Sequence, residues 1–268
     1  MSLFNLSIPE VLCFFAVLVR FSVLIALLPF TGDKTIPTPI KVLLSLAITL
    51  ALFPALVARG EINPAEALVW GGTTAGIVKT VVLEAVIGFV LGYTARLSFD
   101  AISLGSNLVG TFMGYASASM YDPHQETHSQ VVAEIQMALA MLIFLTLDGH
   151  HLMLRASLDS YRIVGLGQAE FGAQFVEKIT MLSGQVIRFG IQIAAPVAIS
   201  LFAVNVMFGI MSRAMPNLNV LMLSFSVTGI VGLLVMLISM PEYQSVAGNI
   251  LERMGDSMET MLTAMASK

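Results

Sequence analysis

Charged residues are scarce in this sequence of 268 residues: Asp, Glu, Lys and Arg together make up 11%, against about a quarter in an ordinary soluble domain. Hydrophobic residues make up 57% and the mean hydropathy is +0.88. The net charge is −4 and no stretch is rich in Lys and Arg, which excludes a nucleic-acid interface built on a basic face. These shortages predict an integral membrane protein.

Cysteine and catalytic motifs are also nearly missing. Cys13 is the single cysteine, so an internal disulfide is excluded and a small buried hydrophobe is the default interpretation. No phosphate-binding loop and no G-x-S-x-G motif occurs. His124 and His128 flank Glu126, but this is not the metalloprotease order and a third ligand is missing. His150-His151 favours an interfacial helix cap over a metal site. We therefore expect no enzyme, no cofactor and no metal.

Long apolar runs dominate the chain instead. A helix that crosses the hydrocarbon core needs about 20 residues, and three runs reach that length comfortably while the others are marginal. This pattern predicts an all-α membrane protein with six to seven helical segments in a single domain, residues 1–268. The runs are Val11–Phe30, Val42–Val57, Ile77–Ala95, Phe99–Gly114, Val131–Leu147, Ile187–Ile210 and Leu218–Met240.

The tail, residues 241–268, is amphipathic rather than apolar. Its apolar residues fall on one broad face of a helix, and the favoured interpretation is a helix that lies on the membrane or caps its own bundle. A docking helix for a partner is the alternative. The asymmetry of Lys and Arg between loops predicts a cytoplasmic carboxyl terminus. The apolar residues are Val246, Ile250, Met254, Met258, Met261 and Met265.

Four charged residues lie inside runs otherwise suited to hydrocarbon: Arg20, Glu84, Glu134 and Arg188. A charge at the centre of a membrane helix costs about 2.5–3.5 kcal/mol on insertion scales, so such residues usually face protein or water. Structural pairing within a tight assembly is favoured over a proton relay, although the sequence leaves the pairing open.

Small residues and one proline point to helices packed on protein. Gly88 and Gly92 form a small-xxx-small pattern that lets helix backbones approach closely. Pro196 lies within a long apolar run and predicts a kink.

Residues Gly110–Pro123, here called the gate segment, read GTFMGYASASMYDP. The glycines and the Asp-Pro pair make the backbone permissive, yet the side chains are too bulky for an ordinary solvated linker. Non-helical backbone at membrane depth is tolerated only inside protein or beside a water-filled cavity, so we predict a seal. The candidate seal residues are Gly110, Phe112, Met113, Gly114, Tyr115, Ser117, Met120, Tyr121, Asp122 and Pro123.

Several of these features occur in an order that resembles the flagellar biosynthetic protein FliR family, whose injectisome counterparts are the T-type export-apparatus subunits. The resemblance runs from about residue 10 to residue 240, and the gate segment together with the MPNLNV motif at Met215–Val220 is its most specific part. The other matching residues are Arg20, Pro29-Phe30, Pro37, Lys41, Glu84, Gly88, Gly92, Gly105, Asp148-Gly149-His150-His151, Ser157 and Pro196.

The resemblance implies a subunit of the export gate of a flagellar type III secretion system, in the bacterial inner membrane at the flagellar basal body. It implies tilted hairpins that assemble with FliP- and FliQ-like subunits, joined by an FlhB-like subunit, and unfolded polypeptides as cargo. It also implies a plug loop at the position of the gate segment. We expect Phe112, Met113, Tyr115 and Met120 to fill the pore, and deletion of Gly110–Ser119 to raise ion leak without loss of assembly.

Three other functions remain open at this stage. An injectisome subunit would share the fold and the partners' type. A proton-coupled secondary transporter would use Glu84 and Glu134, and would work as an isolated chain. A structural nucleator would depend on Gly88, Gly92 or Arg188 for assembly and would show no leak after loop deletion.

Overall fold

The computed structural model describes residues 7–28, 36–114, 131–215 and 219–266. Every regular element in these ranges is helical, which confirms the all-α class. A single-turn 3₁₀ helix, Pro64–Glu66, precedes the third α-helix. The α-helices are α1 Ile8–Leu27, α2 Thr38–Ala58, α3 Ala67–Trp70, α4 Thr74–Phe112, α5 Val131–Thr146, α6 Gly149–Ile163, α7 Ala173–Ala214, α8 Val220–Ile238, α9 Met240–Glu252 and α10 Met254–Met265.

Four of these helices, α1, α2, α4 and α7, are long and apolar enough to cross a membrane. Two pairs of consecutive helices meet the same criterion if each pair counts as one span: α5 with α6, and α8 with the α9–α10 tail. The described chain therefore offers four to six spans, and the protein is embedded in a membrane.

Helix α4 joins two runs that the sequence separated, Ile77–Ala95 and Phe99–Gly114, into one helix of 39 residues. The three residues between the runs, Arg96, Leu97 and Ser98, include no glycine or proline. They lower the hydropathy without breaking the helix, because Arg and Leu are good helix formers and a single Ser is tolerated. The division at this point was therefore wrong.

Two other elements differ from the sequence pattern in similar ways. Helix α7 has 42 residues and begins at Ala173, so an amphipathic stretch and the run Ile187–Ile210 form one helix with Pro196 inside it. Helix α6 follows a bend at Asp148, whose φ of 52° is left-handed. None of the apolar runs predicted α6, because its polar content hides it from a search for hydrocarbon-grade segments.

The tail forms two helices, α9 and α10, that meet at Arg253, where the sequence predicted one. Its methionines Met254, Met258, Met261 and Met265 are all buried in the chain. The backbone carbonyl of Met265 accepts a hydrogen bond from the N–H of Glu170 at 3.0 Å. The apolar face of α10 therefore packs on its own chain.

The chain divides into two compact units, and each is described by itself. Unit 1 comprises residues 1–97, 150–182 and 253–268, and unit 2 comprises residues 98–149 and 183–252. The expectation of one domain stays a prediction.

In unit 1, α1 and α2 pack against each other as a hairpin, and Cys13 is buried as expected. The core also takes in the segment around α3 and one tyrosine of α6. Its buried residues are Cys13, Val17, Phe21, Phe53, Leu56, Ile62, Ala67 and Tyr161.

In unit 2, the end of α4 packs on the middle of α7 and the end of α8. The buried residues of this cluster are Val109, Met113, Val132, Ala194, Val197, Leu201 and Met236.

Candidate functional site: a buried charge cluster and the start of the gate segment

Arg20 of α1 and Glu84 of α4 meet inside unit 1, and both side chains are 0% exposed. Nε of Arg20 donates to Oε2 of Glu84 at 2.6 Å, and Nη2 donates to Oε1 at 2.8 Å. The two parallel bonds match the planar guanidinium to both carboxylate oxygens, the strong geometry for this kind of pair. Two of the four charges predicted inside apolar runs therefore neutralise each other.

Three further residues complete this charge cluster, defined as Arg20, Glu84, Ser160, Tyr161 and Gly167. Nη1 of Arg20 donates to Oγ of Ser160 at 2.7 Å, and the Gly167 N–H donates to Oε1 of Glu84 at 2.9 Å. The guanidinium carbon lies 3.7 Å from the ring centroid of Tyr161, a cation–π contact. The cluster therefore ties α1, α4, α6 and the loop after α6 together.

Ser160 and Gly167 are themselves held in place. Oγ of Ser160 donates to the carbonyl of Ser157 at 2.6 Å, so the hydroxyl proton is occupied and its lone pairs are left for Arg20. Gly167 has a φ of 70°, and a Cβ there would lie 3.2 Å from Cγ2 of Thr80 on α4. A residue without a side chain is what lets this N–H reach Glu84.

Gly88 and Gly92 are the reason why α1 can come so close to α4. A Cβ on Gly88 would lie 2.4 Å from the carbonyl oxygen of Arg20 itself, and one on Gly92 would lie 2.8 Å from Cβ of Leu27. The small-xxx-small pair therefore forms the contact surface that brings Glu84 within reach of Arg20, one helical turn away from Gly88.

The chemistry available to this cluster is limited. The carboxylate of Glu84 already accepts three hydrogen bonds, and no part of its side chain is exposed. A proton carrier must exchange protons with water or substrate, which this geometry does not offer. The arrangement is that of a structural ion pair that holds helices together.

Glu134 and Arg188 have different surroundings from Arg20 and Glu84. Both are exposed on the described chain, Glu134 in the first turn of α5 and Arg188 within α7. The described residues give neither of them a hydrogen bond or an ion pair. A charge within an apolar segment needs protein or water around it, so these two residues mark surfaces that something outside the described chain must solvate.

The gate segment is described only from Gly110 to Gly114. Gly110 and Phe112 belong to the last turn of α4, and the Gly114 N–H donates to the carbonyl of Thr111 at 3.1 Å. Gly114 has a φ of 86°, so the chain leaves the helix at a left-handed residue, as helices commonly do at glycine. The remaining candidates, Tyr115, Ser117, Met120, Tyr121, Asp122 and Pro123, lie outside the described residues.

The two bulky side chains at the end of α4 have different surroundings. Phe112 is 43% exposed, whereas Met113 is 2% exposed. Met113 packs where Gly232 of α8 has no side chain, since a Cβ there would lie 2.6 Å from its Cγ. Met113 therefore fastens the start of the gate segment to the core of unit 2, and Phe112 is left free to contact other groups.

Pro196 lies inside α7 and lines a small cavity with residues of α5 and α9 and with Ser239, which lies between α8 and α9. It has no N–H, so the carbonyl of Gln192, four residues earlier, loses its usual hydrogen bond within the helix.

Sequence reasoning missed Ser160, Tyr161 and Gly167. Their roles come from tertiary contacts with residues 83 to 141 positions away, and no spacing in the sequence indicates such contacts. The polar, amphipathic character of 149–163 was the one available signal that a helix lay there.

The chain is similar to known proteins over most of its length. The model of "Bacterial export proteins, family 1" matches residues 11–254. A flagellar biosynthetic protein FliR from Pectobacterium carotovorum subsp. carotovorum is 28% identical over 254 residues, covering 95% of this chain and 94% of that protein. The protein of the same name from Escherichia coli K12 is 26% identical over 228 residues, covering 85% and 84%. The one from Bacillus subtilis 168 is 24% identical over 252 residues, covering 93% and 94%.

These matches confirm the resemblance drawn from the gate segment and the MPNLNV motif. Since the family model covers most of its length, the chain belongs to the bacterial export proteins, family 1.

Proposed function

We propose that this chain is a non-enzymatic subunit of a flagellar type III protein export gate, where it helps to form and seal the pore for unfolded polypeptides. The family and the names of the relatives support the first part, a subunit of the flagellar export apparatus. The sealing role is our inference, and it rests on the packing of the residues at the start of the gate segment.

The observation that carries the sealing role is the contrast between Met113 and Gly114. Met113 is fixed in the core of unit 2 beside Gly232, and the next residue is a left-handed glycine at which the helix ends. A seal that opens and closes needs an anchor, that is, a residue fixed in the core, and a flexible backbone directly after it. In this proposal Met113 is the anchor, Gly114 is the hinge, and Phe112 with the residues after Gly114 supplies the bulk.

The surface of α7 supports a partner-bound state. Arg188 lies one turn after Gly184, and a Cβ at Gly184 would meet nothing within 4 Å. Gly209 is equally open, and its neighbours Phe202 and Ile210 are 69% and 67% exposed. Small residues allow a neighbouring helix to approach closely, and a neighbouring subunit would also solvate the charge of Arg188.

On this basis we assign the partners as FliP- and FliQ-like subunits with an FlhB-like subunit, and the cargo as unfolded export substrates. The complex would lie in the bacterial inner membrane at the flagellar basal body, with the carboxyl terminus of this chain in the cytoplasm. We assign no catalytic step to the chain.

The test is to shorten the gate segment after its hinge. Deletion of residues 115–119 leaves Met113 and Gly114 in place, unlike the longer deletion of Gly110–Ser119, which would also remove the last turn of α4. We expect a rise in the leak of small ions across membranes that contain the assembled complex, because the bulk that fills the pore is gone.

A matched control replaces residues 115–119 with five alternating glycines and serines, which keeps the length and removes the bulk. This variant should also leak. If both variants assemble and membrane permeability stays at the wild-type level, the gate segment does not seal the pore. Failed assembly in both would instead support a nucleating role for the loop.

A proton-coupled transporter is disfavoured by the charge cluster. Such a transporter would need Glu84 to bind and release protons, but this carboxylate is 0% exposed and its oxygens are held by Arg20 and Gly167. Injectisome membership has less support than flagellar membership, since the relatives described above are all named flagellar biosynthetic proteins.

A further inference from the structure

A small cavity in unit 2 lies where Pro196 interrupts the hydrogen bonding of α7. Its volume is about 10 Å³, which is at the lower limit for holding one water molecule. Three helical elements meet around it: α5, α7 and the junction of α8 with α9. The residues that line it are Gln136, Gln192, Ile193, Pro196, Val197, Ser239, Glu242, Tyr243 and Val246.

Gln136 is the first polar group that needs a partner here. The residue is 3% exposed, yet its side-chain oxygen Oε1 is buried and has no hydrogen-bond partner among the described residues. A buried amide oxygen without a partner is unfavourable, and such groups are usually satisfied by protein or by ordered water. The cavity beside Gln136 has room for the second of these.

The carbonyl of Gln192 is a second acceptor that lacks its usual helical donor. Pro196 cannot supply the N–H that would normally bond to it, and both residues line the cavity. Freed carbonyls at a proline within a membrane helix are commonly satisfied by neighbouring side chains or ordered waters.

The hydroxyl groups at the cavity wall are already committed as donors. The hydroxyl of Tyr243 donates to the backbone carbonyl of Gln136, and Oγ of Ser239 donates to the carbonyl of Met236 at 3.2 Å. Neither therefore has a proton left for Gln136 or Gln192. A small group with two protons to donate would satisfy both oxygens.

We infer that this cavity is a binding site for a single structural water that donates to Oε1 of Gln136 and to the carbonyl of Gln192. The water completes the hydrogen bonding of the Pro196 kink and links α5 to α7. Water also suits the site if the amide of Gln136 is turned over, because water can accept a hydrogen bond as well as donate one. A metal cation would fit only one of these two orientations.

The direct test is a cryo-EM map of the full-length chain in its purified membrane complex, at a resolution that shows ordered waters. We expect one peak about 2.7–3.2 Å from Oε1 of Gln136 and from the carbonyl oxygen of Gln192. Clear density for the side chain of Gln136 and the carbonyl of Gln192 with no peak between them would overturn the inference. A peak surrounded by five or more oxygens at less than about 2.6 Å would also overturn it, because that is a cation.

A second test does not depend on seeing the water. Gln136→Met removes the amide that holds the water, so the carbonyl of Gln192 loses its donor in the wild-type background. In the Pro196→Ala background the alanine supplies an N–H, so this carbonyl keeps a hydrogen bond. We expect the loss of Tm caused by Gln136→Met to fall to about half or less in the Pro196→Ala background.

Gln244→Met is the matched control, since Gln244 is exposed on α9 outside the cavity. Its effect on Tm should be the same in both backgrounds. If the effects of Gln136→Met and Pro196→Ala simply add, no water joins the two groups.

Discussion

Replacing Glu84 with glutamine tests the charge cluster most directly. The substitution keeps the shape of the side chain and removes its charge, so Arg20 is left as a buried cation beside Tyr161 and Ser160. The amide keeps one oxygen, which can accept from Gly167 or from Arg20 but not from all three of the present donors. Its NH₂ group also faces the N–H groups of Arg20, and two donors cannot satisfy each other.

The size of the loss follows from the contacts. Glu84 accepts three hydrogen bonds, two of them from a guanidinium, and a bond to a charged group contributes about 1.5–3 kcal/mol. Losing two of them predicts roughly 3–6 kcal/mol, in line with the roughly 3–5 kcal/mol that removal of one partner costs in other buried ion pairs. No reduction for solvent screening applies, because both side chains are 0% exposed.

Trp70 provides the assay. It is the only tryptophan of the chain and packs against the core of unit 1 that contains Tyr161. Its fluorescence during unfolding of the purified chain by a denaturing detergent would report the free energy of unfolding of this unit. We expect Glu84→Gln to lower that free energy by about 3–5 kcal/mol.

The double variant Arg20→Met with Glu84→Gln separates charge from shape. It removes the stranded cation and leaves an amide oxygen for the Gly167 N–H, so part of the lost stability should return, leaving a deficit of about 1–3 kcal/mol. If Glu84→Gln alone costs less than about 1 kcal/mol, or if the double variant is less stable than the single one, the buried ion pair does not stabilise unit 1.

Three other substitutions test the packing and the exposed charge. Gly88→Val should destabilise unit 1 by about 1–3 kcal/mol, because its Cβ would meet the carbonyl of Arg20, whereas Gly172→Ala, in open space in the same unit, should be nearly neutral in the same unfolding assay. Gly167→Ala should cost about 1–2 kcal/mol because its φ is left-handed, with Gly172→Ala as the control; equal stability of these two variants would contradict the role of Gly167. Arg188→Leu should leave the folding of the isolated chain unchanged and reduce co-purification of its membrane partners, and unchanged recovery of partners would mean that lipid or water, not protein, solvates this charge.

The sequence predicted the charge cluster in part. Arg20 and Glu84 stood out because each interrupts an apolar run, and the high cost of a lone charge in hydrocarbon predicted that such residues would be compensated. Which charges would meet could not be predicted, since the partners are 64 residues apart and a helix pattern shows only which face is buried. Glu134 and Arg188 carry the same sequence signal and have no described partner.

The prediction of the fold was limited in the same way, because local sequence does not show every feature of the structure. The class and most helices followed from the apolar runs, because hydropathy and length are properties of local sequence. The continuity of α4 and α7 did not, because a few polar residues lower the hydropathy without ending a helix. Helix ends depend on breakers and caps, and neither Arg96 nor Lys178 is one.

The buried methionines of α10 bear on how shortened versions of this protein should be interpreted. Removing the last helix would take away five side chains that fill the interior of unit 1, the four methionines and Leu262, together with the contact of Gly255 on Leu152. A truncated chain that no longer supports export would thus report a damaged fold, and the result would be silent on whether the tail recruits another protein. Point changes on the polar side of this helix, at Asp256 or Glu259, would address recruitment without disturbing the interior.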